Sequence, residues 1–429
     1  MKHYPVLRQL FISSYMVQLN KVLLTEMTKI IVTIVFFLSI GIHIVWAWDF
    51  CVPNEDDIML YYNVVDEDEG SCEVAQNKDV IWNCRVLRIP ERVILNRGNR
   101  DFGDPDTVYT VVGIGRRAFY SLYRPDPPFD RYDPLSLFER VVLPKSISYI
   151  DERAFYGCIY LTNLDFPEGN KWLQSIGEYA FAWAGPTELT IPKTLQKLSP
   201  HAFEYSGLRY VEFEEGNEHI TAIPDSCFRG STLMRVKFSP EMEVIGDYAF
   251  AECEALEPPV FPYGLIVIGN GAFKQHKYWS SLEILETIMD IGEHAFSSKS
   301  NPKDRNCPAV LRMDTLYVNK EMTPYCVSEK SLGDYQYSYK EKKFVRPITG
   351  TYLVVPQGCK EEYATTWPWD RFDTRYITER DLSGIKSAKV KTSQPEGVFS
   401  LDGRRLAKTQ KGLNIIRYKD GTAKKIVVK

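Results

Sequence analysis

The segments Leu233-Met-Arg-Val-Lys-Phe238 and Ile245-Gly-Asp-Tyr-Ala-Phe250 form one unit of the pattern that decides how this chain folds. The second half of the unit, an isoleucine or leucine followed five residues later by phenylalanine, occurs eight times, and five copies open Ile-Gly. Successive phenylalanines are 36, 26, 22, 25, 22, 23 and 23 residues apart. A period near 23 predicts a solenoid, in which each unit buries its apolar face against its neighbours. The predicted core phenylalanines are Phe119, Phe155, Phe181, Phe203, Phe228, Phe250, Phe273 and Phe296.

The first half of each unit alternates apolar and polar residues and often ends in proline, as in Phe138-x-x-Val141-x-Leu143-Pro144. A period of two predicts a short strand with one face inward, and proline ends the strand. The residues between the apolar positions are expected to point outward. These pairs are Arg140 and Val142, Asn163 and Asp165, Glu188 and Thr190, Tyr210 and Glu212, Arg235 and Lys237, Pro258 and Val260, and Ile284 and Glu286.

The composite unit, Leu-x-x-Leu-x-Leu-Pro followed by Ile-Gly-x-x-Ala-Phe-x-x-Cys, resembles the bacterial leucine-rich repeats of the BspA-like surface proteins. The resemblance covers roughly residues 58 to 376. It includes the lead-in Leu60-Tyr61-Tyr62 and the closing segment Tyr352-Leu-Val-Val-Pro-Gln-Gly358. It implies a mostly β, right-handed curved leucine-rich repeat solenoid of units of about 23 residues, with a small β module at the C-terminus.

The chain is expected to divide into five segments. They are 1–47, an upstream extension and signal peptide; 48–111, an N-terminal capping segment; 112–380, the solenoid with its C-terminal cap; 381–397, a linker; and 398–429, a small β tail. In the first segment, an apolar stretch from Ile30 to Trp46 follows Lys29, which predicts a secretory signal starting at Met27 and cleaved after Ala47. A retained membrane anchor is the alternative. Either outcome places the protein outside the cytoplasm, secreted or at the cell surface or outer membrane.

Three strands joined at Asp-Gly and Lys-Gly turns are predicted for the tail: Val398–Leu406, Lys411–Arg417 and Asp420–Lys429. The tail resembles the C-terminal tails of secreted Bacteroidetes proteins, some of which are sorting signals for outer-membrane export. A stabilising cap with no address function is the alternative. From Leu382 onward, twelve Lys or Arg stand against three Asp or Glu, a net charge of +9, which suits an acidic partner or an ordinary solvated tail.

The chain has nine cysteines, and those within the repeats, Cys158, Cys227 and Cys253, are expected to be small apolar residues of the interior. The remaining cysteines are the candidates for disulfides in an exported protein. They are Cys51, Cys72, Cys84, Cys307, Cys326 and Cys359.

No catalytic motif is found: there is no HExxH, nucleophile elbow or phosphate-binding glycine loop. His201 and His294 occupy the variable position before the repeat alanine, which a surface position explains. No CxxC pair or calcium-loop spacing occurs, so no metal site is expected. The net charge of −4 argues against nucleic-acid binding. We therefore expect a protein that is not an enzyme, without cofactor or nucleic-acid partner.

A binding function needs exposed side chains on a rigid face. Tyr210, Arg235 and Lys237 form the best candidate cluster, because aromatic and arginine side chains dominate interface energetics. An insertion at Tyr123–Pro134 and a second at Ser328–Arg346 interrupt the period. The candidate ligand-binding residues of the first insertion are Arg124, Phe129, Arg131 and Tyr132. Mixed surface polarity and tolerated insertions are the plain alternatives.

The expected partner is a macromolecule: a host matrix protein, a bacterial surface protein or a glycan. Two other functions stay open, a structural or assembly protein of the cell envelope and an accessory subunit of a glycan-uptake system.

Overall fold

The computed structural model describes the capping segments, most of the repeats and four strands of the tail. The described residues are 48–76, 84–95, 107–121, 137–165, 172–276, 279–297, 313–320, 323, 325–326, 332, 336–338, 343–345, 348, 351–382, 395–399, 405–406, 412–418 and 423–428. The predicted signal segment and the predicted insertion at 123–134 lie outside them.

The N-terminal capping segment starts the solenoid with an antiparallel sheet of three strands. They are β1 (Phe50–Pro53), β2 (Met59–Asp66) and β3 (Ser71–Val74). The parallel pairing of β3 with β6 (Thr107–Ile114) then sets the strand direction for the repeats. β5 (Arg92–Leu95) lies antiparallel to β6 on its other edge. Leu60 and Tyr62 are fully buried and close the first end of the apolar interior.

Most repeats contribute a coil with two strands, and equivalent strands of most neighbouring coils pair in parallel. The longer strands are β4 (Val86–Arg88), β7 (Arg140–Val142), β9 (Asn163–Asp165), β11 (Glu188–Ile191), β13 (Tyr210–Phe213) and β15 (Arg235–Lys237). Their outward side chains form what we call the strand face. The mostly β solenoid predicted from the sequence is confirmed.

The two-residue strands pair through their inward isoleucine or leucine positions, and we call this side of the solenoid the flank. They are β8 (Tyr149–Ile150), β10 (Ser175–Ile176), β12 (Lys197–Leu198), β14 (Ala222–Ile223), β16 (Val244–Ile245), β17 (Val267–Ile268) and β19 (Asp290–Ile291). The close packing of adjacent coils explains why glycine follows isoleucine in the repeat. A Cβ added at Gly269 would lie 2.6 Å from the backbone carbon of Gly246, so only glycine allows adjacent coils to approach this closely.

A continuous stack of phenylalanine rings runs through the apolar interior. All eight repeat phenylalanines are at most 1% exposed. Successive rings stack with centroids 5.2–5.9 Å apart and interplanar angles of 18° or less. Aromatic pairs contribute about 0.5–1.5 kcal/mol each beyond their buried area, so the ladder ties the stability of each coil to that of the next.

A further parallel sheet runs from the last repeat into the closing segment. Its strands are β18 (Trp279–Ile284), β20 (Met313–Val318), β24 (Tyr352–Pro356) and β25 (Ile377–Arg380). β21 (Tyr325–Cys326) pairs with β19 on the flank. A helix, α1 (Lys360–Thr365), follows β24, and its Tyr363 packs at 5.4 Å against the fully buried Trp369. This sheet corrects one prediction: Ile284 is fully buried and Glu283 points outward instead.

The second insertion contains a hairpin of β22 (Gln336–Ser338) and β23 (Lys343–Val345). The tail is an antiparallel sheet, the C-terminal module. Its strands are β26 (Pro395–Phe399), β27 (Arg405–Leu406), β28 (Gly412–Tyr418) and β29 (Ala423–Val428). The first of the three predicted tail strands is therefore two strands.

The repeat cysteines Cys158, Cys227 and Cys253 lie fully buried in the interior, as predicted. Cys51 and Cys72 are free thiols, which contradicts their candidacy for a disulfide. Cys51 is exposed on β1 and Cys72 is buried in β3, so the two side chains lie in different environments. Cys84 is a half-buried free thiol. Cys307 lies outside the described residues.

Candidate functional site

The strand face brings together the cluster predicted from the sequence. Tyr210 is the register partner of Arg235, and Glu212 is the register partner of Lys237. Lys237 Nζ lies 2.5 Å from a Glu212 carboxylate oxygen, and Arg235 Nε lies 2.7 Å from Glu257. The Tyr210 hydroxyl donates to Glu212 at 3.3 Å.

These contacts change what the cluster can bind. The hydrogen bond from Lys237 lowers the pKa of Glu212 and raises that of Lys237, so both groups stay charged around neutral pH. Arg235 lowers the pKa of Glu257 in the same way. Both cations are thus matched by carboxylates of adjacent coils. Positive and negative side chains alternate in this part of the strand face, which fits a polar protein surface better than a polyanion.

The other predicted ligand-binding residues cannot be placed. Arg124, Phe129, Arg131 and Tyr132 all belong to the first insertion and lie outside the described residues.

A third side of the solenoid, formed by the turns around each repeat phenylalanine, carries an aromatic surface that the sequence did not reveal. The residue two before each phenylalanine has a left-handed backbone, with φ between 53° and 59°. Such a conformation costs roughly 1–3 kcal/mol for a residue other than glycine. The residues at this position are Arg117, Arg153, Tyr179, His201, Ser226, Tyr248, Gly271 and His294. We call this side the turn face.

Half-exposed rings on the turn face stack from coil to coil. Trp183 and Tyr205 lie 4.5 Å apart with an interplanar angle of 18°. Tyr179 and His201 lie 4.6 Å apart, and the Tyr120 ring stacks on that of Tyr156 at 5.2 Å. We call these six residues the turn-face ladder.

Arginines pack over the rings of the turn-face ladder. The Arg153 guanidinium lies 5.0 Å from the centroid of Tyr179, and that of Arg229 lies 5.8 Å from Tyr205. Arg229 also forms a 2.7 Å ion pair with Glu252, to which the Tyr205 hydroxyl donates at 2.9 Å. Burial, aided by that hydrogen bond, raises the pKa of Tyr205, so the phenol stays neutral. These contacts restrain the rings in the unliganded protein.

Glycine makes room for this packing. A Cβ at Gly230 would lie 2.2 Å from the Tyr205 ring, and one at Gly271 would lie 2.6 Å from the Tyr248 ring. The sequence did carry a signal, since aromatic residues recur at the variable positions beside the repeat phenylalanine. Because these positions vary in type, the pattern is visible only when the coils are stacked.

A shallow groove lies at the N-terminal end of the flank. It has a volume of about 390 Å³, and the Trp172 side chain beside it is 60% exposed. Ser146 and Ser148 donate their hydroxyls to backbone carbonyls at 2.6 and 3.0 Å, which leaves their oxygen lone pairs as acceptors. The lining residues are Glu91, Lys145, Ser146, Ser148, Trp172 and Gln174.

Within the described residues, no group of three or more His, Cys, Asp or Glu is arranged to hold a metal ion. His276 is a core residue whose Nε2 lies 2.9 Å from the Phe296 carbonyl oxygen. His201 and His294 lie on the turn face, and His201 contacts Glu204 at 3.0 Å. No helix in the described part of the chain is long and apolar enough to cross a membrane.

A known repeat family matches part of the chain. The profile of the BspA type leucine-rich repeat region matches six copies, over residues 135–257 and 221–314. The repeat region, residues 135–314, is therefore of the BspA leucine-rich repeat type. Among curated proteins, none matches this leucine-rich repeat chain.

Solved leucine-rich repeat structures are similar to this one at low identity. A leucine-rich repeat protein from Bacteroides ovatus ATCC 8483 is 19% identical, with a TM-score of 0.43, over 78% of this chain and 77% of that one. A leucine rich cell surface protein from Faecalibacterium prausnitzii A2-165 is 15% identical, with a TM-score of 0.38, over 63% of this chain and 71% of that one.

Proposed function

We propose that this leucine-rich repeat protein is exported, stands at the cell surface or is secreted, and binds a macromolecular ligand without enzymatic activity. The observation that carries the proposal is the turn-face ladder. Export is supported by the apolar segment between Ile30 and Trp46. The partner class that best fits the ladder is a protein.

The chemistry of the ladder supports a protein partner. Tryptophan, tyrosine and arginine are the residue types enriched among interface hot spots. Stacking at 4.5 Å, as between Trp183 and Tyr205, restrains rings that would otherwise lose entropy on binding. The ladder reaches from Tyr120 to Tyr205, across four coils, so a partner can contact several rings at once.

The experiment applies residues 48–429 to an array of matrix proteins, mucins and surface proteins. A variant with Trp183→Ala and Tyr205→Ala removes one stacked pair, and Tyr160→Ala is the control because Tyr160 is an exposed tyrosine outside the ladder. Loss of two hot-spot rings, each about 2 kcal/mol, corresponds to an affinity that is roughly 1,000-fold weaker. If the double variant and the Tyr160→Ala control bound the same ligand saturably and with equal affinity, the turn face would be refuted as the site.

Glycan binding is the second candidate and is favoured by the groove beside Trp172. An exposed indole next to amide, hydroxyl and charged groups provides a stacking surface and hydrogen-bonding partners for a sugar. A panel of soluble polysaccharides should then bind wild-type protein, and Trp172→Ala should abolish that binding while Trp367→Ala, another exposed tryptophan, should not. Absence of binding to the whole panel would eliminate this candidate.

A further inference from the structure

The polarity of the side chains on the flank changes along the solenoid. In the early coils, the residues beside the inward isoleucine or leucine are polar, and Gln174, Gln196 and Lys197 are exposed to solvent. In the later coils, five of the eight equivalent positions are apolar, and the polar ones are Thr221, Glu243 and Asp290. The apolar residues are Ala222, Val244, Ile266, Val267 and Met289, which we call the flank stripe. Parallel register aligns Ala222, Val244 and Val267 directly across three neighbouring strands.

The flank stripe is buried although its side chains do not belong to the phenylalanine interior. Val244 is 8% exposed, Val267 is 5% exposed and Ile266 is 2% exposed. These three residues form an apolar cluster separate from the main core, and its fourth buried member is Ile416 of β28. The C-terminal module therefore covers the flank stripe.

The module presents one face for this contact. Val398 is the antiparallel register partner of Ile416, and Asn414 precedes Ile416 by two residues, so all three side chains lie on the same face of the sheet. None of the three is more than 2% exposed. Ile415, between Asn414 and Ile416, points to the opposite face and is half-buried.

Charge favours the same arrangement. From Leu382 to the C-terminus, the net charge is +9. Residues 1–381 hold 40 Lys or Arg against 53 Asp or Glu, a net charge of −13. Opposite net charges of this size attract over distances up to the screening length and favour association of the tail with the rest of its own chain.

We propose that the flank stripe is a docking surface for the chain's own C-terminal module, and that the module is a releasable cover of that surface. Residues 383–394 connect the module to the capping sheet, and undocking breaks no strand of the solenoid, because the module pairs only its own strands. Release of the module leaves an apolar stripe at three aligned strands open to solvent.

The test uses residues 48–429 and introduces a charge on each side of the contact. Ile416→Asp places a charge in the module. Val267→Asp places a charge in the solenoid and leaves the sequence of the module unchanged. The matched controls are Ile415→Asp, on the opposite face of β28, and Lys197→Asp, at the exposed position equivalent to Val267. One readout is the rate of tryptic cleavage at Lys386, Lys389 and Lys391, followed by mass spectrometry. The other is the fluorescence of a dye that binds apolar surface.

Both Ile416→Asp and Val267→Asp should raise the cleavage rate at least tenfold and increase dye binding, while both controls should behave as wild type. Circular dichroism should show that all four variants keep the solenoid. Wild-type cleavage rates in Val267→Asp would overturn the docking surface, and so would equal acceleration by Lys197→Asp. A wild-type mass of two chains by light scattering, lost in Val267→Asp, would overturn docking within one chain and assign the stripe to the module of a second copy.

Discussion

Replacing Phe250 with alanine tests the phenylalanine ladder at its centre. The Phe250 ring is 1% exposed and lies between those of Phe228 and Phe273, with both centroid distances 5.3 Å. The Phe238 ring lies nearly perpendicular to it, with ring centroids 5.9 Å apart. Truncation removes these three ring contacts and leaves a cavity that its stacked neighbours cannot fill.

The expected loss follows from this geometry. Phenylalanine-to-alanine changes in a packed core cost about 3–5 kcal/mol. Parallel strands fix the spacing of the coils, which limits collapse and places the expected value in the upper half of that range. The assay is urea unfolding of residues 48–429, followed by circular dichroism, and Val260→Ala is the control because Val260 is 85% exposed. The control should change stability by less than about 0.5 kcal/mol.

Damage should also be local, because each coil contacts only its neighbours. The Phe250 amide donates to the Ala272 carbonyl at 2.7 Å, and the Phe228 amide donates to that of Ala249 at 2.9 Å. Hydrogen exchange should accelerate most at these amides. A measured loss below about 1 kcal/mol, or exchange that rises evenly along the chain, would refute the ladder as the source of stability.

Gly269→Ala should destabilise the solenoid by about 1–3 kcal/mol, because the added Cβ would overpack the neighbouring coil. Gly207→Ala is the control, because its added Cβ would lie 3.6 Å from the nearest atom, which is ordinary contact. Equal unfolding midpoints of the two variants would contradict the close approach of the coils. Alkylation of the folded protein should modify Cys51 and spare Cys227, because Cys51 is exposed and burial raises the pKa of the Cys227 thiol. Peptide mapping that finds Cys227 modified first would contradict its buried position. Burial raises the pKa of Glu73 above 4.5, so the folded state binds its proton more tightly than the unfolded state does. Unfolding free energy should therefore fall as pH rises from 4.5 through the folded pKa, and Glu73→Gln should flatten this slope; an unchanged slope would contradict it.

The repeating part of the fold could be predicted from the sequence because its signal is periodic. The eight phenylalanines keep a spacing near 23 residues, so their common environment in the structure follows from one rule. The prediction for Ile284 was wrong because the coil that contains it departs from the pattern. β18 starts at Trp279, and its alternation places Leu282 and Ile284 inward.

The candidate surfaces were less predictable because they depend on which coils become neighbours. Trp183 and Tyr205 are 22 residues apart, and each occupies a variable position, so neither stands out before the stack is built. The partners of Arg235 and Lys237 are carboxylates on adjacent coils, which no local pattern reveals. The apolar cluster that contains Ile416 and Val267 joins residues about 150 positions apart, and only the folded chain brings them together.

The most direct test of the central claim is radical footprinting of residues 48–429, with and without the ligand identified on the array. Radical oxidation reads the solvent exposure of each aromatic side chain. The account predicts that ligand protects Trp183 and Tyr205 on the turn face and leaves the oxidation of Tyr352, which is 48% exposed, unchanged. Protection of Tyr210 on the strand face, with unchanged oxidation of Trp183 and Tyr205, would contradict it.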